Sequence, residues 1–217
     1  DEAASLLQSL LECSIAAEMS NSLLEWLARF RINRKEAAQA EAAASLLASR
    51  ETSPDWRQIA LYLQGEALAL GGHTGKAHEA FAAVVVVEAG TKEKVLAAER
   101  LGDLSLAEGR LERAERYYGM AAELASASEL PAIQARSYFG LGRVAEAGKD
   151  WPEAARRYLS VGILFDNAEL TPEAMYLSAR NLEKAGKSRE RKKVAQELLE
   201  RYPGSEWAAK LKEDEAR

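Results

Sequence analysis

A short pattern that recurs along the chain constrains its fold more than any other feature of the sequence. Alanine is followed four residues later by an aromatic residue in three places: Ala77 and Phe81, Ala114 and Tyr118, and Ala154 and Tyr158. Two glycines precede each alanine, one twelve residues before it and one five or six residues before it. They are Gly65 and Gly72, Gly102 and Gly109, and Gly142 and Gly148. Self-similarity at such a spacing predicts an array of similar units.

The pattern has a steric explanation if each unit is a pair of helices. The first glycine allows a second helix to approach the first closely, and the second glycine ends the first helix in a left-handed conformation. The alanine allows close packing again. The aromatic residue lies one turn further along on the same face, where it fills the space between neighbouring units.

This pattern resembles the tetratricopeptide repeat, a helix–turn–helix unit of about 34 residues. The resemblance covers residues 56–205, with first-helix small residues 37, 40 and 37 positions apart, so that longer turns or helices than usual are expected. The fourth unit is degenerate. Its pattern positions are held by Ala179, Gly186, Arg191, Ala195 and Pro203.

The resemblance implies an all-α, right-handed superhelical solenoid of antiparallel helix pairs, with about nine to eleven helices. Residues 51–204 are predicted to contain four repeats, at about 56–90, 93–127, 132–167 and 172–204. Residues 1–50 are predicted to form N-terminal helices at 2–19, 22–30 and 35–50, the last a candidate second helix of a divergent repeat. Residues 205–217 are predicted to form a capping helix, with Trp207 and Leu211 covering the last repeat.

The stretch LGGHTGKAHEAF, residues 70–81, looks at first like a phosphate-binding loop. A Walker A loop needs a glycine five residues before its Gly-Lys pair, a hydroxyl residue after the lysine, and a preceding strand. Here those positions hold Leu70 and Ala77, and the preceding segment has a helical period. Residues 71–76 are therefore predicted to be a turn between helices.

Other catalytic and metal-binding patterns are lacking in the sequence. The two histidines, His73 and His78, are not spaced for one helix face, and a zinc site needs three or four ligands. The single cysteine, Cys13, is interpreted as a buried thiol among apolar neighbours. We therefore predict a protein that is not an enzyme and that needs no cofactor.

In a tetratricopeptide array the first helices line a concave groove. Extrapolation along each first helix gives eight candidate partner-binding residues: Tyr62, Glu66, Glu99, Asp103, Phe139, Arg143, Tyr176 and Arg180. The first half of this groove is predicted to be acidic and the second half basic, with aromatic anchors. Such a surface suits an extended or helical peptide of mixed charge. The alternative is that the aromatic residues pack between repeats.

Some co-chaperones of this family hold a C-terminal carboxylate with a Lys/Asn clamp on these faces. The matching positions here are Tyr62, Glu66, Glu99 and Asp103, and none of them is Lys or Asn. The most favoured function is protein–protein recognition with a protein or peptide partner. The runner-up is a structural spacer or self-association module, with the oligomeric state left open.

The net charge of −5 argues against nucleic acid as the partner, because nucleic-acid binders usually carry a basic face. Residues 183–193 form a local basic cluster, interpreted as a solvated turn and helix start; nucleic-acid binding there would weaken steeply with salt. The sequence has no run of about 18 apolar residues, so membrane insertion of this segment is not predicted.

One motif suggests a cellular setting. Residues 198–208, LLERYPGSEWA, resemble the repeat endings of bacterial cell-envelope tetratricopeptide proteins, such as the outer-membrane assembly lipoprotein and the Tol–Pal-associated periplasmic protein. This resemblance implies a periplasmic or cell-envelope location. It leads us to expect a signal peptide, lipobox or membrane anchor encoded upstream of Asp1.

Overall fold

A computed structural model describes residues 2–11, 18–50, 53–165 and 167–216. Over these residues the chain forms twelve helices and no strand, which confirms the all-α class. Twelve is one more than the upper end of the predicted nine to eleven. The helices are α1 (Glu2–Leu11), α2 (Asn21–Asn33), α3 (Ala37–Ala48), α4 (Pro54–Leu70), α5 (Thr74–Val86), α6 (Lys92–Ala107), α7 (Leu111–Ala127), α8 (Pro131–Ala147), α9 (Trp151–Leu164), α10 (Thr171–Lys184), α11 (Ser188–Arg201) and α12 (Glu206–Glu215).

The chain divides into two compact units, residues 1–104 and 105–217. In unit 1, α2 packs against α3 and α4, α4 packs against α5, and α1 contacts α2 and α3. In unit 2, α8 packs against α7 and α9, α10 against α9 and α11, and α12 against α10 and α11. The division at residues 50 and 204 and the four repeat boundaries stay predictions. Cys13, and residues 12–17 of the first predicted helix, lie outside the described residues.

Polar side chains cap several helix starts. The hydroxyl groups of Ser20, Ser53 and Ser205 and the carboxylate of Asp150 each accept a hydrogen bond from the backbone N–H three residues later. Such caps satisfy donors that have no partner within the helix. Pro54 begins α4, because its fixed φ suits the first helical position.

The turns follow the glycine pattern with one exception. Gly72, Gly109 and Gly186 have φ values of 79°, 73° and 71°, in the left-handed region that glycine tolerates. The third unit differs, because Gly148 keeps a right-handed conformation and Lys149, with a φ of 60°, takes the left-handed position. The prediction that Gly148 supplies this turn conformation is therefore wrong by one residue.

Two of the three repeated aromatic residues, Phe81 and Tyr158, pack against the pattern glycine of their own helix pair, as predicted, whereas Tyr118 packs against a glycine outside the pattern. A Cβ atom added to Gly65 would lie 2.6 Å from the ring of Phe81, and one added to Gly142 would lie 2.7 Å from the ring of Tyr158. The ring of Tyr118 covers Gly140, where an added Cβ would lie 2.4 Å away. Each ring therefore occupies the volume that a larger residue would need on the facing helix.

The glycine–lysine stretch is a helix connection. Gly71, Gly72 and His73 join α4 to α5, and Lys76 lies exposed in the first turn of α5. The turn is thus shorter than the six residues predicted. Residues 84–87 are four consecutive valines, and α5 continues through them as a helix to Val86. Val84 is fully buried and Val86 is exposed.

A buried glutamine fixes the connection that follows α5. The Nε2 atom of Gln58 lies 3.2, 2.9 and 3.2 Å from the carbonyl oxygens of Val84, Val87 and Ala89. Its Oε1 accepts hydrogen bonds from the backbone N–H and the hydroxyl of Thr91, at 3.2 and 2.8 Å. One fully buried side chain thereby satisfies the polar backbone groups of an irregular segment.

The degenerate fourth unit packs well in spite of its altered pattern. Ala179 and Ala195 are buried in one apolar cluster with Leu182, Leu198 and Leu211. Arg191, at the position of the second-helix alanine, forms an ion pair with Glu215 at 2.7 Å. The capping helix α12 therefore closes this cluster.

Candidate functional site

The eight predicted partner-binding residues lie in pairs on four helices: Tyr62 and Glu66 on α4, Glu99 and Asp103 on α6, Phe139 and Arg143 on α8, and Tyr176 and Arg180 on α10. The spacing of four residues places each pair on one helix face. The first two pairs belong to unit 1 and the last two to unit 2. We call these two surfaces the unit 1 face and the unit 2 face.

Tyr62 forms part of the core beneath the unit 1 face. Only 9% of its surface is exposed, and its ring centre lies 5.8 Å from that of Phe81. Burial, with a contribution from the negative charge of Glu66, raises the pKa of the Tyr62 hydroxyl. Tyr62 and Glu66 also line a cavity of about 210 Å³ with Arg29 of α2.

Two arginines organise the carboxylates of the unit 1 face. The Nε atom of Arg100 donates to Glu66 at 2.7 Å, and its Nη1 lies 3.6 Å from Asp103. Burial alone would lower the pKa of Arg100, but these carboxylates offset burial and raise it. Arg29 donates to Glu25 at 2.9 Å and to Glu93 at 2.7 Å, which links α2 to α6.

The unit 1 face carries positive as well as negative charge, whereas the sequence predicts an acidic surface. Arg29 and Arg100 balance part of the charge of its carboxylates. In addition, the carboxylate residue Glu99 is only 8% exposed. The sequence reasoning missed both arginines. Arg100 stands three residues before Asp103, a spacing that brings side chains together on a helix and could have revealed it. Nothing in the repeat pattern identified Arg29, because α2 lies outside the recognised repeats.

Phe139 and Arg143 differ in exposure on the unit 2 face. The half-buried ring of Phe139 meets that of Tyr158 edge to face, with centres 5.2 Å apart. The Tyr158 hydroxyl donates to Glu146 at 3.1 Å, and burial and this carboxylate raise its pKa. Arg143 is exposed and acts electrostatically on Glu173 of α10.

Glu173 makes the unit 2 face mixed in charge, where the sequence predicted a basic surface. Burial raises the pKa of this carboxyl, and Glu206 raises it further, while Lys210 and Arg143 act to lower it. The sequence extrapolation followed one helix at a time. It therefore missed Glu206 and Lys210, which α12 contributes.

Tyr176 is covered by α12. It is 1% exposed, and its ring centre lies 5.3 Å from that of Trp207. Its hydroxyl donates to Asp214 at 2.8 Å, and Lys210 lies 5.3 Å from the ring centre. Tyr62 thus packs against Phe81 of its own predicted repeat and Tyr176 against the capping helix, whereas Arg180 is exposed beside Tyr176 at 5.7 Å.

Among the described residues, no three His, Cys, Asp or Glu side chains are grouped to hold a metal ion. Nor does any described helix combine the length and apolar character needed to span a membrane. Both faces carry charged side chains next to aromatic rings.

Comparison with known proteins identifies the fold. No family model matches the chain, and no curated protein sequence matches it. Solved structures do: BtubC from P. vanneervenii has a TM-score of 0.72 at 15% identity, over 92% of this chain and 86% of that one. A putative kinesin light chain with nearly identical TPR-like repeats from Podosopora anserina has a TM-score of 0.64 at 18% identity, over 90% and 96% of the two chains.

A third structure is MamA from Desulfovibrio magneticus RS-1, beginning at residue 41. It has a TM-score of 0.64 at 16% identity, over 86% of this chain and 97% of that chain. At these identities the likeness concerns the fold. The chain has a tetratricopeptide-repeat-like helical solenoid fold, as the sequence pattern predicted.

Proposed function

We propose that the chain is a non-enzymatic scaffold that binds a peptide or helix of a partner protein on the first-helix faces of its repeats. The observation that carries this proposal is the set of charged side chains beside aromatic rings on both faces. In unit 1, Glu66 and Arg100 pair with each other and act electrostatically on the buried Tyr62. In unit 2, Arg180 lies over Tyr176, and Arg143 follows Phe139 by one turn.

Apolar clusters and the aromatic–glycine contacts pack the helices together, and the charged residues of the two faces lie beside this core. Complementary charge across an interface contributes more to partner choice and association rate than to affinity. Both faces carry both signs, so the partner that fits best is a segment of mixed charge.

The burial of Tyr62 and Tyr176 refines which residues contact the partner. These two rings support the faces from below. The contacts are assigned to exposed or half-buried groups: Glu66, Asp103, Phe139, Arg143 and Arg180.

The proposal is tested by affinity capture from native extract of the source organism, read by mass spectrometry. Wild type is compared with an Arg143→Glu/Arg180→Glu variant. A Lys76→Glu/Arg116→Glu variant is the control, because it makes the same change in net charge at exposed positions on the second helices α5 and α7. Helical circular dichroism verifies that all three proteins fold.

A partner retained by wild type and the control, and lost by Arg143→Glu/Arg180→Glu, supports the proposal. The same partners on all three proteins move the binding surface away from the unit 2 face. A lack of partners, together with concentration-dependent mass in light scattering, favours self-association instead.

We further propose a bacterial cell-envelope role, supported by the 198–208 motif. Tyr202 directly follows α11. The hydroxyl of Ser205 donates to the Tyr202 carbonyl at 2.9 Å and accepts from the Ala208 N–H at 3.1 Å. The motif is thus a tight connection that starts α12 at once. The gene sequence upstream of Asp1 tests the location: an export signal or anchor supports it, and a cytosolic start codon with no such segment opposes it.

A further inference from the structure

A small cavity lies among α7, α8 and α9, within unit 2. It has a volume of about 200 Å³. Its apolar floor consists of Leu111 of α7 and of Leu141, Val144 and Ala145 of α8. Leu141 and Val144 are each only 6% exposed and belong to the apolar cluster that contains Tyr118. The core therefore holds the floor of the cavity in place.

The cavity is separate from the unit 2 face proposed above. Both surfaces use α8, but Phe139 and Arg143 lie on one side of this helix, one turn apart, and Leu141 and Val144 lie on another. The residues that line the cavity are different from the eight predicted partner-binding residues. The two surfaces can therefore be altered separately.

Acidic side chains dominate the rim of the cavity. Four carboxylates line it, and they belong to Glu112, Glu115, Asp150 and Glu153. The one cation in the lining is Arg157, which is already paired with Glu153 at 2.6 Å. The charge of the lining is therefore negative, with three more carboxylates than cations.

Three of these carboxylates are open to a partner. Glu112, Glu115 and Asp150 are exposed, and among the described residues they form no ion pair. Asp150 accepts the backbone N–H of Glu153 at 3.1 Å, a hydrogen bond that does not neutralise its charge. Lys149 precedes Asp150 without lining the cavity. The fourth carboxylate, Glu153, is engaged by two arginines of its own helix.

The arginines at the start of α7 lie on another side of that helix from Glu115. Arg110, Arg113 and Arg116 line a different cavity, and Glu112 borders both cavities. Helix geometry explains this separation, because residues at steps of three share one side of a helix. The side of α7 that faces the apolar floor is therefore the acidic one.

We propose that this cavity is a second docking site, which takes one arginine side chain from a basic segment of a partner protein. The aliphatic stem of an arginine can lie along the apolar floor while its guanidinium stays at the charged rim. The planar guanidinium also forms paired hydrogen bonds with carboxylates, which a lysine ammonium does not.

The size and charge of the cavity both favour this occupant. The cavity is smaller than the about 300–1,000 Å³ that is usual for small-molecule pockets, so it suits one side chain better than a whole ligand. The excess of carboxylates favours a basic segment around that side chain, because complementary charge selects one partner over others.

The test uses the whole chain with methyl-labelled leucine and valine, observed by nuclear magnetic resonance. The probe is a short synthetic Gly/Ser peptide with a central arginine between two lysines. In one comparison peptide citrulline replaces the arginine, which keeps its shape and removes its charge. In the other, an arginine analogue shorter by two CH₂ groups replaces it.

The arginine peptide is expected to shift the methyl signals of Leu111, Leu141 and Val144. Each comparison peptide is expected to bind about tenfold more weakly, because one loses the attraction of the rim and the other loses contact with the floor.

Charge removal on the protein provides the second arm. A Glu112→Gln/Glu115→Gln variant is expected to bind the arginine peptide about tenfold more weakly. A Glu79→Gln/Glu123→Gln control removes the same charge at exposed positions of α5 and α7 outside the lining, and it is expected to bind the peptide as wild type does.

Equal binding of the arginine peptide and either comparison peptide would overturn the proposal. So would the absence of shifts at these methyl groups at millimolar peptide, or equal weakening by the control variant. Displacement of the peptide by an equal concentration of spermidine would also overturn it, because the rim would then attract any cation without using the floor.

Discussion

The contact between Tyr118 and Gly140 allows a sharp test of how the helices pack. Gly140 lies in the middle of α8 and Gly119 in the middle of α7. A Cβ atom added at Gly140 would lie 2.4, 2.6 and 2.6 Å from three ring carbons of Tyr118, whereas one added at Gly119 would have no neighbour within 4 Å. We predict that Gly140→Ala destabilises the protein and Gly119→Ala stabilises it.

The magnitude follows from comparing the two substitutions. Replacing glycine by alanine within a helix gains about 1 kcal/mol, and this gain is common to both variants. The added atom at Gly140 comes more than 1 Å inside the optimal carbon–carbon separation of about 3.5–4.0 Å. Tyr118 is 1% exposed and has no room to move away, so a cost near the upper end of about 1–3 kcal/mol is expected. Gly119→Ala should therefore be about 3 kcal/mol more stable than Gly140→Ala.

Urea denaturation followed by circular dichroism measures this difference. A Tyr118→Leu background serves as an internal control, because a smaller, flexible side chain leaves space for the new methyl group. The cost of Gly140→Ala should shrink in that background, which a double-mutant cycle reports. Equal stabilisation by both alanines, or an unchanged cost in the Tyr118→Leu background, would refute the steric reasoning.

Three further predictions concern polar and backbone features. Gln58→Leu should lower the free energy of unfolding by about 3 kcal/mol, because buried carbonyl oxygens such as that of Val87 lose their donor. It should also speed amide exchange at Thr91, whose N–H loses its acceptor, and unchanged exchange would contradict this. Lys149→Gly should raise the free energy of unfolding by about 1 kcal/mol, and Gly109→Ala should lower it by a similar amount, because both positions have positive φ. Denaturation measures both effects, and effects of the same sign would contradict this explanation. Glu173→Gln should raise the denaturation midpoint at pH 7. The pKa of Glu173 is raised in the folded state, so its ionised form costs stability above that pKa. The difference from wild type should vanish as the pH falls below the ordinary glutamate pKa of 4.5, and a difference independent of pH would argue against the assignment.

The repeat pattern predicted the fold because its residues act through local sterics. Glycine and aromatic positions such as Gly65 and Phe81 or Gly142 and Tyr158 meet in the structure as the helix period requires. The same reasoning failed at Gly148, where Lys149 takes the left-handed conformation. A turn of fixed geometry can be shifted by one residue at a modest energetic cost, which a glycine pattern alone does not reveal.

The candidate site was less predictable because it depends on contacts between distant segments. Helix period places Glu66 on α4 and Asp103 on α6. It gives no indication that Arg100 forms ion pairs with both of them, or that Arg29 of α2 forms one with Glu93 of α6. Likewise, the burial of Tyr176 depends on α12, whose Trp207 and Asp214 follow it by more than thirty residues. Side-chain exposure was therefore the quantity that the sequence left open.

Hydrogen–deuterium exchange of the chain, with and without its captured partner, tests the central claim most directly. If the first-helix faces bind the partner, amide protection should increase on α8 and α10 and on the α4 segment around Tyr62 and Glu66. Protection confined to α7, α9 and α11, or none at a saturating partner concentration, would contradict the proposal that this chain binds its partner through its first helices.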